Sequence, residues 1–304
     1  MVNQILLGVS TRGYEASLEP LPSGLASHGA RRNSVSRRLR VRAEAKLKEQ
    51  LERRLDDLEL VALMLDGIYI GGQVVVVALG ITAAGDKVPL GLWLGSTENA
   101  TVCTALLQSL FERGLRADHP ILCIIDGGKG LRRALDEVLG TRALIQRCQL
   151  HKRRNVLDHL SKQRSAAVRH QLCEAYQSRT AEVARRRLRQ LISWFECNGH
   201  DGAAASLREG LEETLTVLKL QLPETLRRSL STTNAIENVM STFRRITGGV
   251  TRWRKNGMVR RWMALGIAVA ETRFRKIRGA RDLPLLLDKL KAIEPRIDVQ
   301  DQSA

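Results

Sequence analysis

The chain has 304 residues, 43% hydrophobic and 27% charged, so it can bury a substantial core in two or three folding units. Its 49 lysines and arginines outnumber 32 acidic residues, and the net charge of +17 favours a polyanionic partner, most commonly nucleic acid. No apolar run approaches a membrane span, no signal-peptide pattern is present, and the five scattered cysteines form no C-x-x-C, so we expect a cytoplasmic protein without a membrane partner.

The N-terminal stretch GLASHGARRNSVSRRLRV is polar and basic. Gly29 is placed to form the turn of a helix-turn-helix, with Val35 and Leu39 on the buried side of its second helix. Five arginines would surround that helix and reach DNA phosphates or base edges: Arg31, Arg32, Arg37, Arg38 and Arg40. The alternative is a solvated basic linker, because such patterns often occur by chance.

A second, amphipathic helix is predicted to lead from this stretch into the core. Its apolar positions recur at helical spacing: Leu47, Leu51, Leu55 and Leu58. Packing explains this pattern, and it needs no functional role.

Apolar runs of strand length follow. LVALMLDGIYI, QVVVVALGIT and VPLGLWLG are joined by tight glycine-containing turns, which is typical of antiparallel hairpins. A helix ending near Gly114, a strand ILCII, a helix from Leu131 to Leu139 and a fifth strand RALIQRC come next. This order predicts an α/β fold with a mixed five-stranded sheet covered by helices.

Two aspartates end apolar runs and precede glycine: Asp66 in VALMLDG and Asp126 in ILCIIDGGKG. The second stretch lacks the spacing and the hydroxyl residue of a P-loop, which argues against nucleotide binding. If their strands are neighbours, the two carboxylates can converge on a hard cation such as Mg²⁺. The alternative is that each begins a turn, because Asp-Gly is common in turns. Together, on so basic a chain, they favour the metal interpretation.

A third carboxylate, Glu237, lies in STTNAIENVMSTFRRITGG at the edge of an apolar helical stripe. Asn234, three residues earlier, would form a capping box with it as the helix N-cap. A glutamate in the first turn of a helix can also face the sheet, so the two interpretations are compatible.

These residues lie in stretches that resemble the Mutator-type transposases of bacterial insertion sequences. The matching stretches occur in order from about Leu6 to Phe274: GVSTRGYEASLEPLP, LMLDGI, LGLWLGSTENATV, IIDGGKGL, QRCQLHKRRNV, SLREGLEETLTVLKL and STTNAIENVMSTFRRI. The resemblance implies an RNase H-like fold and a DDE triad of metal ligands, which matches Asp66, Asp126 and Glu237 here.

The same resemblance implies a division of the chain. Residues 1–56 would hold a helical DNA-binding remnant and a linker helix, and 57–150 the first part of the RNase H-like core. Residues 151–230, helical and basic by pattern, would be an all-α insertion. The core would resume in 231–280 with the helix of the catalytic glutamate, and 281–304 would be a C-terminal tail.

The activity implied by the resemblance is metal-dependent DNA cleavage and strand transfer at transposon ends, with two Mg²⁺ ions (Mn²⁺ also possible) per active site. The partners would be double-stranded DNA, as terminal inverted repeats and target, and further copies of the chain, with nucleoid association. Gly127 and Gly128 would let the DNA backbone approach Asp126. Family members extend further before Leu6, so we expect either an N-terminally truncated copy or a misassigned start. The alternatives are an inactive fragment that only binds DNA and an RNase H-like nuclease unrelated to transposition.

The stretch RCQLHKRRNV matches a C-x-x-H motif of the family just after the fifth strand. We expect Cys148 and His151 to pack beside the acidic site, with Lys152, Arg153 and Arg154 on phosphates.

A zinc site is the less favoured alternative for this motif. Cys148 and His151 could combine with His170 and Cys173 at a plausible tetrahedral spacing, but VRHQLCEAY also fits an ordinary helix. Further DNA contacts are expected from basic residues near the C-terminal end: Arg244, Arg245, Arg252, Arg254 and Lys255.

Overall fold

The structure is a computed structural model that describes residues 4, 14, 17, 18, 31–95, 99–250, 252–254 and 257–293. Its strands are β1 (Leu60–Ile70), β2 (Gln73–Thr82), β3 (Lys87–Gly95), β4 (Ile121–Ile125) and β5 (Ala143–Arg147). Its α-helices are α1 (Arg32–Glu52), α2 (Ala100–Glu112), α3 (Lys129–Leu139), α4 (Gln149–Leu157), α5 (Lys162–Tyr176), α6 (Ala181–Cys197), α7 (Asp201–Arg208), α8 (Thr216–Lys219), α9 (Glu224–Leu230), α10 (Asn234–Thr247), α11 (Met258–Glu271) and α12 (Leu283–Lys291).

The strands form one sheet in the order β3-β2-β1-β4-β5. β1, β2 and β3 are antiparallel neighbours, whereas β4 pairs in parallel with both β1 and β5. The predicted α/β fold with a mixed five-stranded sheet is therefore confirmed. The antiparallel meander follows from short glycine turns, and the parallel strands follow from the crossovers through α2 and α3.

Each face of the sheet packs against its own set of helices. Leu63 and Leu65 of β1 pack with α2 and α3, whereas Met64 and Ile68 pack with α10, α11 and α12. Side chains alternate between faces along a strand, so an even-numbered residue of β1 faces α10. This alternation sets the face on which Asp66 lies.

The helical segment between β5 and α10 has its own core. Buried side chains from Val156 to Leu218 form a separate apolar cluster. Leu220, Leu226 and Leu230 belong instead to the sheet core. The proposed insertion of residues 151–230 thus ends in helices that pack on the sheet.

The helix-turn-helix prediction for the N-terminal region is tested only in its second helix, which continues further than predicted. α1 is one continuous helix of 21 residues that joins the predicted second helix to the first part of the predicted amphipathic helix, whereas Leu55 and Leu58 lie beyond its end. Gly29, the expected turn, lies outside the described residues. Val35 and Leu39 are buried as expected, in an apolar cluster that also contains Leu265 of α11. The amphipathic spacing continued through both stretches, so no break separates them after Arg32.

The C-terminal region also differs from its prediction as a tail. α12 buries Leu283, Leu286 and Leu290 completely against the sheet core. Residues 294–304 lie outside the described part. No helix in the described ranges combines the length and the apolarity that crossing a bilayer requires.

Candidate active site

The first two predicted acidic residues lie next to each other where β1 pairs with β4. These parallel neighbours have Leu65 opposite Ile125, so Asp66, the next residue of β1, is beside Asp126, the residue directly after β4. Neighbouring strands lie about 4.8 Å apart. The sequence suggested that Asp66 ends its strand, but β1 continues to Ile70. Asp126 directly follows the last residue of β4, as expected.

Turn formation explains one of these aspartates and not the other. Asp126 Oδ1 accepts a hydrogen bond from the Gly128 amide at 2.8 Å, which is an Asx turn leading into α3. Asp66 Oδ1 accepts from the Gly67 amide at 2.9 Å, but it lies within a strand. The turn interpretation therefore leaves the buried Asp66 without an explanation.

Glu237 reaches the same region from α10. Its helix begins at Asn234 with Thr233 as the N-cap residue, and no side-chain capping hydrogen bond forms there. The capping box with Asn234 as N-cap was therefore wrong, and Asn234 is exposed one turn before the glutamate. Glu237 Oε1 lies 3.8 Å from His151 Nε2 and 3.7 Å from Arg154 Nη1. This oxygen atom is buried and accepts no hydrogen bond from any described residue, although 30% of the Glu237 side chain is exposed.

The electrostatics of Asp66 reflect this convergence. The side chain is buried, with 8% of the residue exposed. Burial raises the pKa of Asp66 to about 7, and the negative charges of Asp126 and Glu237 act in the same direction. No group of three or more His, Cys, Asp and Glu side chains in the described ranges is arranged to hold a metal ion. The three carboxylates thus share one electrostatic environment without forming a finished ligand set.

Cys148 and His151 form a small network beside Glu237. The Thr233 amide donates to Cys148 Sγ at 3.4 Å, and Thr233 Oγ1 lies 3.5 Å from His151 Nδ1. A hydrogen bond with Cys148 raises the pKa of His151 to about 9, against the effect of burial. Burial raises the pKa of the Cys148 thiol, but the hydrogen bonds from His151 and Thr233 have the larger opposite effect. The pKa of Cys148 is therefore lowered overall. The network holds His151 cationic next to the glutamate.

Thr233 was not identified from the sequence. It is completely buried, and its hydroxyl lies against Cys148 and His151. The next residue, Asn234, was predicted as the N-cap instead, and the contacts of Thr233 with Cys148 and His151 have no local signal in the sequence.

The basic residues after His151 point in different directions. Lys152 is 1% exposed, and its Nζ donates to the carbonyl oxygens of Ser206 and Glu209 at 2.6 and 2.7 Å. This burial argues against the expected phosphate contact. Arg153 Nη1 donates to Cys173 Sγ at 2.7 Å, whereas the exposed Arg154 approaches Glu237.

The four residues of the zinc alternative do not share one environment. Cys148 contacts Thr233, Cys173 accepts from Arg153, and the exposed His170 lies 3.7 Å from Glu174. The absence of zinc stays a prediction.

The predicted DNA contacts outside α4 are exposed where the structure describes them. They are Arg31, Arg32, Arg37, Arg38 and Arg40 on α1 and its N-cap, Arg244 and Arg245 on α10, and Arg252 and Arg254 in the following loop. Lys255 lies outside the described residues.

Gly127 makes room for a side chain of the protein, and the approach of DNA at Gly127 and Gly128 stays a prediction. Its φ of +105° lies in the region that favours glycine, and a Cβ there would overlap the guanidinium of Arg147. Its free space is therefore taken by a side chain of the protein. The signal in the sequence was an arginine at the end of an apolar strand, RALIQRC.

A family model for transposases of the Mutator family matches residues 1–272 of the chain. The chain belongs to the Mutator family of transposases. The matched range includes all three predicted acidic residues.

Individual members of the family show the same likeness. The transposase for insertion sequence element ISRM3 of Rhizobium meliloti is 30% identical over 58% of this chain and 43% of its own length. The transposase for IS256 in transposon Tn4001 of Staphylococcus aureus is 28% identical over 81% of this chain and 62% of its own. That for IST2 of Acidithiobacillus ferrooxidans is 30% identical over 56% of each. The chain thus spans about half the length of these curated relatives.

Proposed function

We propose that this chain cuts and joins DNA at the ends of an insertion sequence, with Asp66, Asp126 and Glu237 as its catalytic metal ligands. One observation carries the proposal. Asp66 within β1 and Asp126 directly after the parallel strand β4 are neighbours, and the face of β1 that carries Asp66 is covered by the helix that supplies the glutamate. The names of the relatives support transposition over unspecialised DNA hydrolysis.

The chemistry of these side chains fits a divalent cation. Asp66 is buried beside two other carboxylates, and Glu237 Oε1 is buried without a hydrogen bond from a described residue. Clustered carboxylate charge, of which that of Asp66 is buried, is stabilised by a cation, and carboxylate oxygen suits Mg²⁺ or Mn²⁺. Because no finished ligand set is present in the described ranges, binding would require the carboxylates to turn toward one another.

When bound, two such ions would supply activation of a water or 3′-hydroxyl nucleophile and neutralisation of the leaving oxygen. The protein's own groups would orient the ligands. The Gly128 amide holds one oxygen of Asp126, and His151 with Arg154 attracts Glu237. The substrate brings its own nucleophile, so no serine or cysteine attack is needed.

The proposed partners are double-stranded DNA, as terminal inverted repeats and target, and further copies of the chain. The exposed arginines of α1, α10 and the loop after it support DNA binding through phosphate contacts. Nucleoid association would follow from that binding. The RNase H-like core in 57–150 and 231–280, and the insertion between them, are part of the same proposal.

The proposal is tested by Asp126→Asn in the full chain. The substrate is a supercoiled plasmid carrying the DNA that flanks the coding region, incubated with Mg²⁺ or Mn²⁺. The variant keeps the shape of the side chain and removes its charge, so we expect loss of cleavage with nearly unchanged DNA binding. Asp136→Asn is the matched control, because that aspartate is exposed on α3 and pairs with Arg132.

Retained cleavage by Asp126→Asn would remove this residue from the chemistry. Cleavage of random plasmid as efficient as cleavage at the flanking ends would favour a nuclease. DNA binding without cleavage by the wild-type chain under any divalent ion would favour an inactive DNA-binding fragment.

A further inference from the structure

Arg147 is a charged residue buried beside the proposed active site. It is the last residue of β5, directly opposite Ile125 of β4, and its side chain is 7% exposed. Arg147 Nη2 donates to the Gly127 carbonyl at 2.8 Å. The same guanidinium donates to the carbonyl and the carboxylate of Glu209, both at 3.2 Å. One side chain therefore joins the loop after Asp126 to the helical segment.

Two glycines make room for this guanidinium. Gly127 has a φ of +105° and Gly210 a φ of +63°, and a Cβ at either position would overlap Arg147. Gly199, in the same helical segment, has a similar φ of +70° but open space around it. The fit around Arg147 is thus specific to two chain segments that are far apart in sequence.

The peptide group between Gly127 and Gly128 links Arg147 to Asp126. Its carbonyl accepts from Arg147, and its amide, Gly128 N–H, donates to Asp126 Oδ1 at 2.8 Å. A trans peptide is planar, with C=O and N–H pointing in opposite directions. Fixing the carbonyl end therefore fixes the direction of the N–H that holds the carboxylate. A charged donor on the carbonyl also polarises the peptide and strengthens the second hydrogen bond.

We propose that Arg147 is a positioning residue that orients Asp126 through the Gly127–Gly128 peptide and makes this orientation depend on the docked helical segment. The inference rests on the proposed function, in which Asp126 is a metal ligand. Residues that orient metal ligands typically change metal affinity or activity by about 10- to 100-fold when replaced. A purely structural arginine would change stability and leave the carboxylate unaffected.

The main variant is Arg147→Lys, which keeps the charge but cannot bridge two carbonyls with a planar fork. Arg113→Lys is the matched control, because Arg113 also donates from a part-buried guanidinium to backbone carbonyls, those of Gln50, Arg53 and Leu90. Three quantities are measured in each: thermal stability, amide hydrogen exchange in residues 126–130 without metal, and Mn²⁺ affinity by calorimetry.

We expect both variants to lose stability, but only Arg147→Lys to speed exchange at Gly128 and to weaken Mn²⁺ binding by about 10- to 100-fold. Unchanged Gly128 exchange and Mn²⁺ affinity in folded Arg147→Lys would overturn the inference. If the wild-type chain binds no Mn²⁺, the proposed function fails. The exchange measurement still reports whether Arg147 holds the peptide.

Gly210→Ala provides a second route that leaves the arginine in place. Its Cβ would overlap Arg147 Nη1 and displace the guanidinium, so Gly128 exchange should rise as in Arg147→Lys. Gly199→Ala carries a similar backbone strain without the overlap and should leave that exchange unchanged. Equal exchange at Gly128 in the two alanine variants would contradict the proposal.

Discussion

Asp66 shows how the proposed site opposes stability at the level of single residues. Its folded pKa of about 7 lies above the ordinary aspartate value, so between about pH 4 and 7 the folded state binds more protons than the unfolded state. The contribution of Asp66 to the free energy of unfolding then falls as pH rises through this window. The penalty is complete above pH 7 and disappears below the unfolded pKa. Buried carboxylates kept under such a penalty are typical of functional sites.

We therefore predict that metal-free Asp66→Asn is more stable than the wild type at pH 8, with an upper limit of about 4 kcal/mol set by the pKa shift. The difference should shrink as pH falls and vanish near pH 4. Urea unfolding at several pH values measures it. Asp136→Asn, at an exposed position, should show no such trend. A destabilised Asp66→Asn at pH 8 would mean that the charge is compensated in the folded protein.

The contacts of several single residues could not be predicted from the sequence. The aspartates could be predicted because each follows an apolar strand-like run. Lys152, Arg153 and Arg154 look alike in sequence, yet one is buried against backbone carbonyls, one contacts a thiol and one faces the glutamate. Helical periodicity could not distinguish the environments of these three residues, because the polar face of α4 packs against a second set of helices. Arg147 and Thr233 were missed for the same reason: their partners are 20 or more residues away.

At the level of elements, α1 is held to the molecule by a short apolar seam. Val35 and Leu39 pack against α11, and Gln50 Nε2 donates to the Ala264 carbonyl at 3.1 Å. We predict that Leu39→Ala lowers the free energy of unfolding by about 2 to 3 kcal/mol. This value lies near the lower end for such substitutions, because Leu39 keeps 8% of its surface exposed. Denaturant unfolding provides the measurement.

Arg40→Ala is the control for this change. Arg40 is adjacent and exposed, and its pair with Glu44 at 3.6 Å is a surface pair worth less than about 1 kcal/mol. If both variants cost the same, α1 would not be anchored through its apolar side.

Elements were predicted well where one periodicity dominated. The three antiparallel strands, α2, β4, α3 and β5 all occur in the expected order, because runs of β-branched and aliphatic residues are separated by glycine turns. Boundaries were predicted less well. α1 joins two expected helices, and α10 takes Thr233 rather than Asn234 as its N-cap. For α10 the reason is tertiary, because the Thr233 side chain contacts Cys148 and His151, which no local pattern contains.

At the scale of the whole molecule, the basic residues that give the net charge of +17 have different roles. Some cations are used internally: Lys152 holds backbone carbonyls, and Arg185 pairs with Glu212 at 2.7 Å. Others, such as Arg244 and Arg245, are exposed on the last turns of the helix that carries Glu237. Arg244 lies seven residues after Glu237, which is about two helical turns along the same side. DNA that reaches the glutamate would pass over it.

This separation predicts which cations contribute to DNA affinity. Each phosphate neutralised on duplex DNA contributes a slope of about −0.9 to log K against log salt. The double variant Arg244→Gln with Arg245→Gln should therefore reduce the magnitude of the slope by up to about 1.8. Lys152→Met should leave the slope unchanged, because its ammonium group is inside the protein, although it should lower stability. Fluorescence anisotropy with a random duplex between low and moderate salt measures both, after circular dichroism has shown that the variants are folded. A slope altered by Lys152→Met and unaffected by the arginine pair would place the DNA path over α4 instead of over α10.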